Sequence, residues 1–116
     1  MIRSKTVSSY GESMPPRLSP RTLQLVEKIF SPKQIAEVTQ WLEDECGNNI
    51  PFCDKHDEFQ MERIRFAVLK LSNGNIKRLL AAVDEARMDW RDLFMAADFG
   101  YDVNTHELWA KELLEK

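Results

Sequence analysis

A chain of 116 residues is long enough for one domain with a single core and too short for several. Hydrophobic residues make up 43% and charged residues 30%, and no apolar run approaches the roughly 18 residues that cross a bilayer, so neither a membrane-spanning nor a wholly disordered protein is predicted. The net charge of -3 is uneven, because the first 21 residues are basic and the rest is acidic. That acidity disfavours nucleic acid as a partner.

The N-terminal segment and the two cysteines lead to expectations about order and compartment. Residues 1–18 show no apolar period, contain Gly11, Pro15 and Pro16, and are too polar to offset the entropy of ordering. We therefore predict a flexible tail over residues 1–18 and one domain over residues 19–116. Two cysteines without an apolar signal segment predict a cytoplasmic protein.

Two Ser-Pro pairs predict the starts of the first two helices. Ser19 is a favourable N-cap and Pro20 suits the first helical position, and Ser31-Pro32 repeats the arrangement. Apolar side chains then recur at helical spacing after each pair. Gly47 is the predicted end of the second helix.

The third and fourth helices are predicted to form an antiparallel hairpin. The third, over roughly residues 57–71, is so apolar that we expect it at the centre of the fold. Ser72-Asn73-Gly74 ends it, and Asn75 caps the fourth helix after this short link. The charged residues of the third helix expected to need solvent are Glu62, Arg63, Arg65 and Lys70.

The remaining pattern completes an all-α prediction. Asp89 caps a fifth helix that ends at Gly100, and a sixth begins at Asn104 or Thr105. No segment alternates like a strand. We predict a compact single-domain bundle of five or six short helices, with a flexible N-terminal tail and the three tryptophans largely inside.

A distinctive pattern fills the second half of the chain. It comprises Arg63-Ile-Arg-Phe-Ala-Val-Leu-Lys-Leu-Ser-Asn-Gly74, Asp89-Trp-Arg-Asp-Leu93, Ala96-Ala97, Phe99-Gly100, Asp102, His106 and Trp109. The pattern resembles a group of small uncharacterised bacterial all-α proteins, and the resemblance covers about residues 30–110. It implies no activity, cofactor or binding residue.

The longest internal loop holds the residues best suited to chemistry. Cys46, Cys53 and His56 are soft ligands, but structural zinc needs four ligands, so Asp54 or the distant His106 would have to complete the set. A Cys46 to Cys53 disulfide is a second interpretation. The favoured one makes Cys46 a small core residue and Cys53 a residue that packs the loop, so no metal, cofactor or catalytic residue is predicted.

Trp90 and Arg91 are the candidate partner-binding residues, because both types are enriched at binding hot spots. The favoured interpretation is structural: Asp89 caps the helix, Trp90 enters the core, and Arg91 is solvated or ion-paired. His106 is expected to be an ordinary residue at a helix start.

Three functions are therefore carried forward. The leading hypothesis is a non-enzymatic protein-interaction or scaffold module that binds an unknown protein partner or a second copy of itself. The alternative is a metal- or redox-responsive protein built on Cys46, Cys53 and His56. The third is a DNA-binding module using Lys70, Lys77, Arg78 and Arg87, which the acidic residues of the fifth helix disfavour.

Overall fold

The computed structural model describes residues 17–46, 58–100 and 102–116. Helices form 78% of these residues, and none of them lies in a strand, which confirms the all-α prediction. The predicted tail up to residue 16 and the predicted stop at Gly47 lie outside the described residues. The elements are α1 Pro20–Ile29, a 3-10 turn Pro32–Gln34, α2 Ile35–Glu45, α3 Glu58–Ser72, α4 Ile76–Met88, α5 Trp90–Ala96 and α6 Thr105–Leu114.

Both Ser-Pro pairs begin helical structure as predicted. The Ser19 hydroxyl accepts a hydrogen bond from the Thr22 N–H at 3.2 Å, and Pro20 occupies the first turn of α1. The second pair begins with a 3-10 turn, and α2 follows it only from Ile35. No described helix has the length and apolarity required to cross a bilayer.

The turn between α3 and α4 depends on two residues in the left-handed region. Asn73 has a φ of 49° and Gly74 a φ of 82°, after which the Asn75 side chain accepts from the Arg78 N–H at 3.1 Å. A Cβ on Gly74 would lie 3.1 Å from the carbonyl oxygen of Ile29, at the end of α1. The glycine thus serves both the turn and the close approach of α1.

Helix α3 lies at the centre of the domain, as predicted. It packs against α1, α4, α5 and α6. Its side chains from Ile64 to Leu69 are buried, and this run includes Arg65, which is only 4% exposed; Arg63 is 8% exposed. The expectation that these arginines need solvent is therefore wrong, because a helix surrounded by four others has little surface left for water.

Buried Arg65 donates to backbone carbonyls of two other segments. Its Nε donates to the Cys46 carbonyl at the end of α2 at 3.0 Å, and its Nη1 donates to the Arg17 carbonyl at 3.2 Å. Burial lowers the pKa of this guanidinium, but an arginine pKa starts so high that the group stays charged. The positive charge sits against a helix C-terminus, where the macrodipole favours it.

Two further cations of α3 contact the end of α5. Arg63 Nη2 donates to the Phe99 carbonyl at 2.9 Å, and its guanidinium lies 4.1 Å from the centre of the Phe94 ring. Lys70 Nζ donates to the Ala97 carbonyl at 2.7 Å. Lys70 thereby satisfies the carbonyl at the C-cap of α5, and Arg63 satisfies one in the segment that follows the helix.

The packed chain starts earlier than residue 19. Leu18 is 6% exposed and belongs to the core, and its N–H donates to Glu43 Oε2 at 3.2 Å. Together with the Arg17 carbonyl bound by Arg65, this contact corrects the predicted start of order by two residues. A single leucine has no periodicity, so the sequence pattern could not detect it.

Helix α5 ends at Ala96, and the left-handed residue that follows its C-cap is Asp98 rather than Gly100. The Phe99 N–H donates to the Phe94 carbonyl at 2.8 Å and the Asp98 N–H to the Met95 carbonyl at 3.2 Å, while Asp98 has a φ of 63°. This is a Schellman motif in which an aspartate takes the position usually held by glycine. The predicted stop at Gly100 is wrong because the left-handed residue comes two positions earlier.

Candidate functional site

One residue, Asp89, makes the corner between α4 and α5. Its N–H donates to the Glu85 carbonyl at 2.7 Å and so ends α4, while its carboxylate accepts from the Arg91 N–H at 3.1 Å and so caps α5. The predicted cap is confirmed. Asp89 is thus the single residue between the end of α4 and the start of α5.

Trp90 and Arg91 lie at this corner with different exposures. Trp90 is half-buried and packs edge-on against the Phe94 ring, with 5.5 Å between ring centroids. The Arg91 side chain is 75% exposed, 3.7 Å from the Asp89 carboxylate and 6.0 Å from the Trp90 ring centre. Trp41 and Trp109 are half-buried as well, so the tryptophans pack against the core and lie less deeply than predicted.

Two methionines close to these residues in the chain are also exposed. Met88 is 75% exposed and Met95 is 66% exposed, the highest values among the large apolar side chains of the described chain. Met88 directly precedes the corner, and Met95 lies one turn after Arg91 on the same side of α5. We call Met88, Trp90, Arg91 and Met95 the corner surface.

An open groove adjoins the corner surface. Four of its residues lie on one face of α4, two on α5 and one on α3, and they are Leu71, Arg78, Ala81, Ala82, Glu85, Asp92 and Ala96. The α4 face continues from Glu85 to Met88 by helical spacing. Because the groove is open to solvent, it does not bury most of a small ligand's surface as a typical ligand pocket does.

The metal candidates are only partly within the described chain. Cys53 and His56 lie outside the described residues, so both the metal hypothesis and the disulfide hypothesis stay predictions. Cys46 and His106 are fully buried. Within residues 17–46, 58–100 and 102–116, no three His, Cys, Asp or Glu side chains are grouped for a metal ion.

His106 is not the ordinary helix-start residue that we expected. Its side chain is fully buried, with ring centroids 5.2 Å from Phe59 and 5.3 Å from Phe66. Burial lowers the pKa of this imidazole below its usual value. The signal in the sequence is the spacing: His106 lies one helical turn before the buried Ala110 and so shares its core-facing side of α6.

The basic residues considered for DNA binding are divided between internal and surface contacts. Lys70 Nζ donates to the Ala97 carbonyl, and Arg87 pairs with Glu45 at 3.2 Å. Lys77 and Arg78 are exposed on α4. The four residues therefore do not act together as one free cationic face.

Comparisons with protein families, characterised proteins and solved structures found no significant match to this chain. The resemblance to small bacterial proteins stays a prediction.

Proposed function

We propose that this chain is a non-enzymatic protein-interaction module that binds its partner through the corner surface. One observation carries the proposal: the two most exposed large apolar side chains of the described residues, Met88 and Met95, flank a half-buried tryptophan and an exposed arginine. Trp, Arg and Met are the types enriched at protein interfaces. Methionine also adapts its shape to different partners.

The groove suggests the form of the partner segment. The small side chains of Ala81, Ala82 and Ala96 allow the backbone of a partner to come close to the groove. The groove also carries one positive side chain, Arg78, and two negative ones, Glu85 and Asp92. An amphipathic helix that carries apolar residues on one face and charges at its edges fits such a surface. That helix belongs to another protein or to a second copy of this chain. The proposed compartment is the cytoplasm, because two cysteines are too few for the disulfide framework of a small secreted domain.

Site-specific photo-crosslinking in the native cell tests this function. A photoreactive amino acid at Met88 or Met95 is expected to form a discrete protein adduct, while the same group at exposed Glu37 on α2 is expected to form none. Arg91→Ala should abolish the adduct without changing the unfolding midpoint, because the exposed side chain contributes little to stability. Trp90→Ala should also abolish the adduct. It should in addition lower the free energy of unfolding by up to about 3 kcal/mol, since the indole is half-buried.

Sedimentation of the purified chain distinguishes the two kinds of partner. A concentration-dependent dimer that Met95→Glu dissociates identifies a second copy, and a monomer at all concentrations identifies another protein. Equal adducts from the corner surface and from Glu37, or none from the corner surface, would contradict the proposed function.

A further inference from the structure

His106 lies in an enclosed aromatic environment in the first turn of α6. Its exposed fraction is 0%, and three phenylalanine rings surround it: Phe59 at 5.2 Å, Phe66 at 5.3 Å and Phe99 at 6.3 Å between centroids. Two of these rings belong to α3 and the third follows α5. The imidazole therefore sits where α6 meets the rest of the domain.

The polar atoms of this ring are poorly satisfied. Among the described residues, neither Nδ1 nor Nε2 has a hydrogen-bond partner of good geometry. The nearby Val103 carbonyl favours a proton on the ring without reaching that geometry. A neutral imidazole has one N–H to satisfy and an imidazolium has two, so protonation adds a buried donor without an acceptor.

The surrounding charges oppose one another. Arg63 on α3 and Arg21 on α1 repel an imidazolium, whereas Glu107 on α6 attracts it, and Asp102 attracts Arg63. Phenylalanine faces also attract cations. Burial outweighs these contributions, so the pKa of His106 in the folded protein lies below its ordinary value and the ring is neutral near pH 7.

We propose that His106 is a pH-sensitive contact that holds α6 on α1 and α3 when neutral and releases α6 when protonated. Helix α6 packs on these two helices and is the last element of the structure, so it can separate while α1 to α5 remain together. Release would uncover Phe66 and Phe99, which now face His106 and Trp109. The inference is independent of the corner surface.

The direction of the pH effect follows from the two states of His106. Released His106 has its ordinary pKa of 6.5, and packed His106 has a lower one. Well above pH 6.5 both states are neutral and the packing of α6 does not depend on pH. Below it the released state takes up the proton first, so the ratio of packed to released α6 falls by up to about tenfold per pH unit. The effect of histidine is read between about pH 4.5 and 6.5, above the range in which the carboxyl groups of model peptides titrate.

Hydrogen exchange, corrected for the intrinsic pH dependence, measures this release in the intact chain. Protection of the α6 amides should fall by about tenfold between roughly pH 6.5 and 5, while protection of α4 changes little. His106→Phe keeps an aromatic ring without a titrating group and should make α6 protection independent of pH. The chain has two histidines, so His56→Gln is the matched control and should keep the wild-type loss.

Two results would overturn the inference: wild-type α6 protection that does not change with pH, or the same loss in His106→Phe. If that variant fails to fold, the imidazole resonances of the wild-type protein decide the question. A His106 resonance that titrates below 6.5 together with the loss of α6 protection supports the contact, and one that titrates at or above 6.5 rejects it.

Discussion

At the scale of single residues, the main feature is the use of α3 cations as hydrogen-bond donors to distant carbonyls. Arg65 contacts the end of α2 and the segment before α1, while Arg63 and Lys70 contact the end of α5. Burying an isolated charge costs free energy because the charge loses its hydration. The cost is smaller when the charged group donates hydrogen bonds to backbone carbonyls, above all at a helix C-terminus. These side chains therefore connect segments that are far apart in sequence.

Arg65→Met should destabilise the protein by about 2 to 4 kcal/mol, because it leaves the buried Cys46 carbonyl and the partly buried Arg17 carbonyl without their charged donor. The stability of Arg65→Lys should lie between those of the wild-type protein and Arg65→Met, since one ammonium group cannot reproduce the two-pronged hydrogen bonding of a guanidinium. Urea unfolding midpoints measure both changes.

The matched control is Arg78→Met on α4, whose exposed side chain should change stability by less than about 0.5 kcal/mol. Equal midpoints for Arg65→Met and Arg78→Met would show that the buried donor contributes nothing specific.

At the scale of elements, the ends of the helices are set by single residues with unusual roles. Asp89 ends α4 and begins α5, which brings Met88 and Trp90 to one corner. Asp98 takes the left-handed position that ends α5, although its charge lies at the negative end of the helix. Both the conformation and the charge at Asp98 are therefore unfavourable.

Asp98→Gly should raise the free energy of unfolding by about 0.5 to 1 kcal/mol, because glycine adopts a positive φ without steric cost. Asp98→Asn separates the two contributions, since it removes the charge and keeps a side chain that tolerates this conformation. Thermal and urea unfolding measure the gain.

Asn73→Gly is the control, with a smaller expected gain because asparagine is already favourable at such positions. A less stable Asp98→Gly protein would contradict the assignment of Asp98 as the strained end of α5.

At the scale of the whole molecule, α3 organises the domain and the segment before α1 closes one side of it. Leu18 lies in the same core as Leu25, Leu42 and Phe66. The Leu18 N–H donates to the Glu43 carboxylate, and the carbonyl of the preceding residue, Arg17, accepts from Arg65. The domain therefore includes Arg17 and Leu18.

Deletion of residues 1–16 should leave the unfolding midpoint nearly unchanged, as the polar composition of that segment predicts. Deletion of residues 1–18 should cost about 2 kcal/mol or more, because it also removes the buried Leu18 side chain and the Arg17 carbonyl. Leu18→Ala in the full chain separates the side chain from the backbone contacts. Indistinguishable midpoints for the two deletions would show that Leu18 does not contribute to the core.

The sequence by itself determined the helical class, the Ser19 and Asn75 caps, the Asp89 corner and the central place of α3. These features depend on interactions within a few residues, namely caps, turns and the helical period of apolar side chains. Tertiary structure alone decided the burial of Arg63, Arg65 and His106, the packing of Leu18 and the exposure of Met88 and Met95. Whether a polar group can be buried depends on distant carbonyls and charges, such as those of Cys46 and Phe99, and whether a methionine is covered depends on the elements packed beside it.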